Sequence, residues 1–430
     1  MPPITLQPLR AAPHTTWCIP GSKSLTNRAL VLAALARGTS ILKGVLRSDD
    51  TRYMRAGLES MGASVVQDSE TCWSVTGGQL HAPQATLFVG NSGTTVRFLT
   101  GLAALLDGET TLNGDIHMSR RPIADLVDAL GALGIAVDCP TGCPPLTVQG
   151  HGTLPGGRIT VPGDRSSQYF TALMMAGCAA DAPLIIDIGG SLVSRPYVEM
   201  TAAIITDFGG AVQVGEHTIS VTPAPLRAQT YIIEPDASAA SYAFAAAAAT
   251  GGTITVPGLH RQARQGDVAF VDVLEAMGAR VSESAVGLCV SGGSLVGVDV
   301  DMKHISDTVM TLAAIAPLAR GTTTIRNIAN IRIKETDRLH ATVTELRRMG
   351  QQVEEGDDWM RITPRPIQPA AIDCYGDHRM AMSFAIPGLV VPGITITDPA
   401  CVSKTYPGFW TDLARMIRDS GDTPDWSVPS

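Results

Sequence analysis

One arrangement recurs along this 430-residue chain: a short polar stretch that leads directly into an apolar tract. Residues 20–28 are the first example, and the apolar tract at residues 29–35 follows them. The Pro-Gly pair ends any secondary structure element that precedes it, and Ser22 or Ser24 can cap a new helix. Lys23 and Arg28 then place positive charge near the unpaired backbone N–H groups and the positive end of the helix dipole. The stretch therefore predicts an apolar helix with an anion-binding start.

The same pattern appears five more times, at a spacing of roughly 70 residues, which is a repeat signal. The later openings are residues 91–97, 164–168, 236–238, 306–308 and 377–379. They lead into apolar tracts at residues 98–106, 169–176, 239–249, 309–318 and 380–386. We therefore expect six structural units.

Each unit also contains signals for a second helix and for strands. Second helices are predicted at residues 53–61, 123–133, 198–208, 268–277 and 336–349, each followed by the glycine that typically ends a helix. Strands are predicted at residues 38–42, 252–256, 321–325, 279–281 and from 352, where β-branched residues cluster. A unit thus consists of strand, helix, strand, helix and further strands.

Length and charge limit the possible classes of protein. A chain of 430 residues with 45% hydrophobic residues can form two domains of about 200 residues, or three units each. We place the domain boundary near Glu234-Pro235, so that the first domain covers residues 21–233. A strand predicted at residues 4–6 has no neighbour of its own and must pair with one domain or the other. The net charge of −8 disfavours nucleic acid or an anionic membrane as the main partner.

The sequence has no signal-peptide pattern and no apolar run of the roughly 18–20 residues that a membrane span requires, so we expect a cytoplasmic protein. Its eight cysteines are scattered in a long chain, which favours reduced thiols over a disulfide framework. Cys139 and Cys143 are spaced loosely like metal ligands, but no second pair completes a site. We therefore expect no metal centre.

Ionisable residues concentrate at positions 330–338, in the fifth unit. If a helix begins near Lys334, then Lys334 and Arg338 lie one turn apart with Glu335 beside them. A solvated helix start is the ordinary interpretation of such a run. However, the equivalent helices lack the cluster, and Asp307 opens another helix of the same half, so we favour a functional site.

The distribution of lysines supports this interpretation. The chain has only five lysines, against 27 arginines. Lys23 and Lys334 lie in the stretches described above, and Lys404 lies in the stretch at residues 398–407. A lysine retained in such a sequence supplies a compact, titratable charge that arginine does not. Arg121, just before Pro122 at a helix start, adds to the basic set.

Several of these motifs, in this order, closely resemble the 5-enolpyruvylshikimate-3-phosphate (EPSP) synthase family. The resemblance extends from the N-terminus to Pro407 and rests on Pro-Gly-Ser-Lys-Ser-x-Thr-Asn-Arg at 20–28, Gly-Asn-Ser-Gly-Thr at 90–94, Arg-Pro-Ile at 121–123, Ser-Ser-Gln at 166–168, Ser-Arg-Pro-Tyr at 194–197, Lys-Glu-Thr-Asp-Arg at 334–338, Asp-His-Arg-Met-Ala-Met at 377–382 and Lys404. It implies an α/β (α+β) fold, a two-domain inside-out barrel in which each domain has three βαβαββ repeats with buried helices and outer sheets. Residues 1–20 would join residues 234–430, with the active site in the interdomain cleft.

The resemblance also implies the reaction: transfer of the enolpyruvyl group of phosphoenolpyruvate to the 5-hydroxyl of shikimate 3-phosphate, with release of phosphate, in the shikimate pathway to aromatic amino acids. It implies two sets of binding residues. For shikimate 3-phosphate they are Lys23, Ser24, Arg28, Ser166, Ser167, Gln168, Ser194, Tyr197, Asp307, Asn330 and Lys334. For phosphoenolpyruvate they are Lys23, Asn91, Gly93, Arg121, Gln168, Arg338, His378, Arg379 and Lys404.

In this interpretation four residues carry the chemistry. Asp307 would polarise the ring hydroxyls and Glu335 would exchange the proton at carbon, while Lys23 and Lys404 assist proton movement and the leaving phosphate. No metal or organic cofactor is implied, and we expect a monomer. His378 either contacts substrate or only orients the neighbouring arginine.

Two residues bear on inhibition by glyphosate, which resembles phosphoenolpyruvate. Gly93 indicates the sensitive class, because a methyl group there would crowd the pocket. Phe98 departs from the proline of better-known members, which leaves the shape of the phosphoenolpyruvate pocket open. Arg97 is expected to hold the loop at Gly93.

Two alternative functions remain. The related UDP-N-acetylglucosamine enolpyruvyl transferase shares fold and chemistry but has a cysteine in the loop before its Arg-Pro, and residues 115–119 contain none. A non-catalytic scaffold of repeated units would keep the apolar helices. It would have no need for Lys23, Asp307 and Glu335 at the helix openings.

Overall fold

The computed structural model describes residues 1–426. Contacts divide the chain into two compact units. The N-terminal unit is Gly21–Glu234, and the C-terminal unit combines Met1–Pro20 with the chain from Pro235 onward. The chain therefore passes from one unit to the other after residue 20 and again after residue 234.

The elements are numbered in chain order. The helices are α1 (Lys23–Leu35), α2 (Asp49–Ser60), α3 (Gly93–Ala103), α4 (Ala124–Ala132), α5 (Ser167–Gly177), α6 (Arg195–Asp207), α7 (Ala237–Thr250), α8 (Phe270–Ala276), α9 (Val309–Ile315), α10 (Arg338–Arg348), α11 (His378–Ala385) and α12 (Phe409–Asp419). The strands are β1 (Ile4–Thr5), β2 (His14–Thr16), β3 (Gly38–Lys43), β4 (Ser64–Gln67), β5 (Cys72–Gly77), β6 (Leu87–Phe88), β7 (Asp107–Asn113), β8 (Ala136–Asp138), β9 (Leu146–His151), β10 (Gly157–Pro162), β11 (Leu184–Gly189), β12 (Ala211–Val214), β13 (Thr218–Thr222), β14 (Thr230–Ile232), β15 (Thr253–Pro257), β16 (Arg280–Glu283), β17 (Gly287–Ser291), β18 (Asp299–Asp301), β19 (Thr323–Arg326), β20 (Gln352–Glu355), β21 (Met360–Thr363), β22 (Ala370–Ile372) and β23 (Ile394–Ile396).

The polar openings do begin helices, as predicted. Of the two candidate caps for α1, Ser22 is the residue used, and its hydroxyl accepts a hydrogen bond from Leu25 N. The caps of the later openings work in the same way: Ser92 for α3, Ser166 for α5, Asp236 for α7 and Asp377 for α11 each accept a backbone N–H of the first turn. The side-chain oxygen satisfies a donor that the helix itself leaves unpaired.

One sheet topology repeats within the N-terminal unit. Its three sheets have the strand orders β14-β3-β5-β4, β6-β7-β9-β8 and β10-β11-β13-β12. In each sheet the first strand runs parallel to the second, and the remaining neighbours are antiparallel. The first sheet is completed by β14, from the far end of the same unit.

The C-terminal unit repeats this topology in two four-stranded sheets and also contains a three-stranded sheet. Its sheets have the orders β16-β17-β15-β2, β18-β19-β21-β20 and β1-β23-β22. The opening strand β1 pairs antiparallel with β23, and β2 pairs parallel with β15. The first residues of the chain thus complete two sheets of this unit.

The apolar helices are buried along nearly their whole length. In α7 every residue from Ala237 to Ala248 is buried, because small side chains on all faces let neighbouring elements approach. Close approach is also visible where α3 meets α5: a methyl group on Gly101 would lie 2.9 Å from the carbonyl oxygen of Ala172. A larger residue than glycine would force these helices apart.

The helix predicted at residues 336–349 is α10, which spans Arg338–Arg348. The condition that it begin near Lys334 is not met, and Lys334 lies outside the helix in a non-helical conformation. Asp337 caps α10 by accepting from His340 N, and Arg332 donates to the other oxygen of Asp337. These contacts fix the start of the helix one turn later, and Lys334 and Arg338 are therefore not neighbours on a helix face.

Candidate active-site clusters

The first cluster lies at the helix openings of the N-terminal unit and begins with Lys23. Its ammonium group lies 3.4 Å from a carboxylate oxygen of Asp50, which is 2% exposed. Asp50 stands in the first turn of α2, where the helix dipole favours negative charge. Asp50 thus provides a fixed counter-charge for Lys23 that was not identified from sequence.

Two buried arginines flank Gly93 at the start of α3. The Arg121 guanidinium donates to the backbone and side-chain oxygens of Asn91, at 3.1 and 3.2 Å. Arg97 donates to the carbonyl oxygens of Gly93 (3.0 Å) and Pro122 (2.7 Å), which is the loop-holding role expected of it. A methyl group on Gly93 would lie 2.5 Å from Arg121 Nη2, so only glycine leaves both arginines in place.

The opening of α5 brings further polar groups into this unit. Ser166 caps the helix by accepting from Gln168 N, and Gln168 Oε1 accepts from Arg97 at 3.3 Å. Ser167 occupies the first turn. These positions expose hydroxyl and amide donors at the positive end of a buried helix, as an anion site requires.

Ser194 precedes α6 with a left-handed backbone conformation, φ 51° and ψ 39°. This conformation is costly for a residue other than glycine, by about 1 kcal/mol or more, and such strain tends to occur at functional sites. Tyr197 follows in the first turn, and its ring lies 5.9 Å from the guanidinium of Arg28. Ser24, in the first turn of α1, accepts from that guanidinium through its carbonyl oxygen.

The second cluster lies in the C-terminal unit and is centred on Arg338, which is 1% exposed. Its guanidinium donates to both oxygens of Asp377, at 2.7 and 3.2 Å, and lies 3.3 Å from Asp307 and 2.6 Å from Glu335. Burial alone would lower the pKa of Arg338, but the surrounding carboxylates outweigh that effect and raise it. Arg338 is therefore a fixed cation at the start of α10.

Two more cations complete the second cluster. Arg379 donates to Asp307 at 2.7 Å and to the hydroxyl of Tyr242 at 3.4 Å. Lys404 Nζ lies 3.7 Å from Glu335. Asp307 and Glu335 are therefore each held between two positive groups, and three cations face three carboxylates in this cluster.

His378 is also buried in this cluster, and neither ring nitrogen makes a hydrogen bond to the part of the chain that the structure describes. Burial, followed by the nearby charge of Arg379, keeps the pKa of His378 well below its usual value. The imidazole is therefore neutral at physiological pH. One of the two roles considered for His378 was to orient Arg379. No hydrogen bond between the imidazole and Arg379 is observed.

The structure thus collects most of the sequence-predicted residues in two clusters. Asn330 donates to Ser306, next to Asp307, at 3.0 Å. Lys334 is half-buried, one residue before Glu335. Sequence analysis missed Asp50 as a partner of Lys23 and treated Asp377 only as a helix opening, because the partner of an ion pair depends on tertiary contacts. The Asp-His-Arg order at the start of α11 is the one signal that could have indicated Asp377.

Among residues 1–426 there is no group of three or more side chains suited to hold a metal ion. The cysteines of the described chain are free thiols, and Cys139 and Cys143 belong to the same loop region. No helix in that part of the chain is long and apolar enough to cross a membrane.

Comparison with known proteins identifies one family over nearly the whole chain. The EPSP synthase (3-phosphoshikimate 1-carboxyvinyltransferase) family profile matches residues 15–413. The 3-phosphoshikimate 1-carboxyvinyltransferase of Nostoc punctiforme is 45% identical over 97% of this chain and 100% of its own length. That of Shewanella denitrificans is 47% identical over 94% of this chain and 96% of its own.

Solved structures show the same fold. An EPSP synthase structure from Acinetobacter baumannii matches with a TM-score of 0.82 and 24% identity, covering 97% of this chain and 98% of the other. Agreement over the whole length excludes a match to an isolated repeat. This chain belongs to the EPSP synthase (3-phosphoshikimate 1-carboxyvinyltransferase) family.

Proposed function

We propose that this protein transfers the enolpyruvyl group of phosphoenolpyruvate to the 5-hydroxyl of shikimate 3-phosphate and releases phosphate. The proposal is carried by the family match over residues 15–413, at 45% identity to a full-length relative of that name. The two clusters of buried cations at helix openings support it. A scaffold without catalytic function has no reason to bury such costly groups.

The substrates explain the need for so much positive charge. Each carries a carboxylate and a phosphate, and the reaction must bring the two molecules together. Two unit charges of the same sign 4 Å apart repel by about 4 kcal/mol at an effective dielectric constant of 20. Fixed arginines, lysines and helix N-termini offset this repulsion without reorganising at the moment of reaction.

We assign shikimate 3-phosphate to the N-terminal cluster together with part of the second cluster. Its carboxylate would bind Arg28 and Ser24, and its phosphate would bind the hydroxyl groups around the starts of α5 and α6. The residues proposed to contact it are Lys23, Ser24, Arg28, Ser166, Ser167, Gln168, Ser194, Tyr197, Asp307, Asn330 and Lys334. The capping hydroxyl of Ser166 still has its own proton to donate, since it only accepts from Gln168 N.

We assign phosphoenolpyruvate to cations of both clusters. Arg338 and Arg379 would hold its carboxylate, because two planar guanidinium groups match a planar anion. Arg121, Lys23 and Lys404 would hold its phosphate, with Asn91, Gly93 and Gln168 beside it. His378, neutral and without a hydrogen-bond partner in the described chain, would donate one ring N–H to the substrate.

The chemistry requires two carboxylates with different roles. Asp307 would orient and polarise the ring hydroxyls, including the 5-hydroxyl that attacks phosphoenolpyruvate. Glu335, held between Arg338 and Lys404, would deliver a proton to the methylene carbon and then remove one in the elimination step. Lys23 and Lys404 would help to move the proton that the 5-hydroxyl loses when its oxygen bonds to phosphoenolpyruvate, and they would stabilise the phosphate that departs in the elimination step.

We infer further that each unit is an inside-out barrel of three βαβαββ repeats. We also propose that the protein is a monomer and that it acts in the cytoplasm. Buried helices such as α7 and the repeated sheet topology support the barrel. Glyphosate should inhibit the enzyme, since glycine occupies position 93.

A phosphate-release assay with the purified protein tests the function directly. Phosphate should appear from phosphoenolpyruvate only when shikimate 3-phosphate is also present. UDP-N-acetylglucosamine in its place serves as the control for the sister activity. Release with that sugar nucleotide, and none with shikimate 3-phosphate, would overturn the assignment.

A further inference from the structure

Arg28 is surrounded by neutral groups, in contrast to Arg338. Its guanidinium is 1% exposed and donates to Thr201 Oγ1 (2.8 Å), Thr171 Oγ1 (3.1 Å), and the carbonyl oxygens of Ser24 (2.9 Å) and Tyr197 (3.4 Å). Burial lowers the pKa of Arg28 to about 10, so it remains charged at physiological pH. The fold thus contains a buried cation that no described carboxylate neutralises.

The number of donors leaves room for a ligand. A guanidinium has five N–H donors, and the four hydrogen bonds of Arg28 use the single Nε hydrogen, both Nη2 hydrogens and one Nη1 hydrogen. The second Nη1 hydrogen has no acceptor in the described chain. An anion that accepts it would also supply the missing negative charge.

Two buried threonines fix the orientation of this guanidinium. The Thr201 hydroxyl donates to the carbonyl oxygen of Tyr197 at 2.7 Å, so its oxygen can only accept from other groups. The Thr171 hydroxyl lies 3.0 Å from Thr201 Oγ1 and must therefore be the donor in that pair. Both oxygens consequently present lone pairs to Arg28.

An aromatic ring completes these surroundings. The carbon of the guanidinium lies 5.3 Å from the centre of the Phe98 ring, and Phe98 is 1% exposed. A ring face stabilises a cation without cancelling its charge. The residue that departs from the family's proline therefore contacts Arg28 of the shikimate 3-phosphate site.

We propose that Thr171, Thr201 and Phe98 are positioning residues that hold Arg28 oriented and uncompensated for the carboxylate of shikimate 3-phosphate. This rests on the proposed function, in which Arg28 binds that carboxylate. Neutral partners serve this purpose better than an acidic one, because a protein carboxylate would compete with the substrate for the same donors.

The test replaces each hydroxyl with a methyl group of similar size in the full-length protein. Thr171→Val and Thr201→Val should each raise KM for shikimate 3-phosphate about tenfold, the scale of one hydrogen bond to a charged group. KM for phosphoenolpyruvate and kcat at saturating shikimate 3-phosphate should stay within about twofold of wild type. Thr171→Ser and Thr201→Ser retain the hydroxyl and should restore the wild-type KM.

A substrate analogue separates positioning from general damage. The methyl ester of shikimate 3-phosphate lacks the charged carboxylate, so the wild type should bind it more weakly and the valine variants should lose little further affinity for it. Phe98→Leu, measured in the same way, covers the case in which a valine variant fails to fold. It should raise KM for shikimate 3-phosphate and affect binding of the methyl ester much less.

The outcomes are distinguishable. Valine variants with wild-type KM for shikimate 3-phosphate, or with equal losses for both substrates and for the ester, would refute the positioning role while leaving the proposed function intact. A wild-type protein that binds neither substrate and releases no phosphate would refute the proposed function and this inference with it.

Discussion

A methyl group added at Gly93 should disturb the phosphoenolpyruvate site in a specific way. In Gly93→Ala the new Cβ would lie 2.5 Å from Arg121 Nη2 and 2.7 Å from Arg97 Nη1. An ordinary van der Waals contact begins near 3.4 Å. Arg121 must therefore withdraw by about 0.9 Å, and a displacement of about 1 Å in a positioning group can reduce rates about a hundredfold.

We expect the variant to raise KM for phosphoenolpyruvate at least about tenfold and to weaken glyphosate inhibition by at least as much. KM for shikimate 3-phosphate should change by less than about threefold, because Arg28 does not contact Gly93. Phosphate release measured while each substrate is varied in turn, and against phosphoenolpyruvate with and without glyphosate, gives all three quantities.

Gly131→Ala is a matched control. It lies in α4, and among residues 1–426 no atom outside its local helix lies within 4 Å of the added methyl group. The control should retain wild-type kinetics and gain up to about 1 kcal/mol in stability, as alanine does over glycine in a helix. Wild-type kinetics and inhibition in Gly93→Ala would show that Arg121 does not bind the phosphate.

Three further predictions concern the C-terminal unit. Glu335→Gln should lower kcat at least about a hundredfold, which is the scale of a lost general acid or base, while calorimetry still detects binding of both substrates. Near-normal turnover would show that Glu335 takes no part in the mechanism. Asp377→Asn leaves buried Arg338 without its bidentate partner and should lower the free energy of unfolding in urea by about 3 kcal/mol. The control Asp187→Asn, whose partner Arg158 is exposed, should lower it by less than about 1 kcal/mol. His378 is neutral in the folded state, whereas its unfolded form gains a proton below about pH 6.5, so lowering pH favours unfolding. Between pH 7.5 and pH 5.5 the free energy of unfolding, measured by urea titration, should therefore fall by about 1 kcal/mol more for the wild type than for His378→Asn. Equal decreases would contradict a lowered pKa of His378.

Local signals predicted the helices well. A capping residue followed by an apolar tract is decided within about ten residues, and the starts of α3, α5 and α11 follow from it. The start of α10 was less certain, and a start near Lys334 was considered, because several residues before the helix can cap it. The contact between Arg332 and Asp337, five positions apart, favours the later one.

Long-range pairings were not predictable in the same way. Lys23 meets Asp50 and Arg338 meets Asp377 only after separate helices have packed, and nothing in either local stretch specifies the partner. The completion of sheets by β14, β2 and β1 likewise depends on strands remote in sequence. Only the resemblance to a family indicated that β1 belongs with the C-terminal half.

Burial of whole helices explains why the polar residues occur where they do. A helix such as α7, surrounded on every side, has no solvent-facing stripe on which to carry polar side chains. Its unpaired N–H groups and its cap occur only in the first turn, so charged and hydroxyl side chains concentrate there. In a chain built from such helices, the repeat of the fold and the repeat of the anion-binding starts must have the same period. That is why a spacing of roughly 70 residues indicates both.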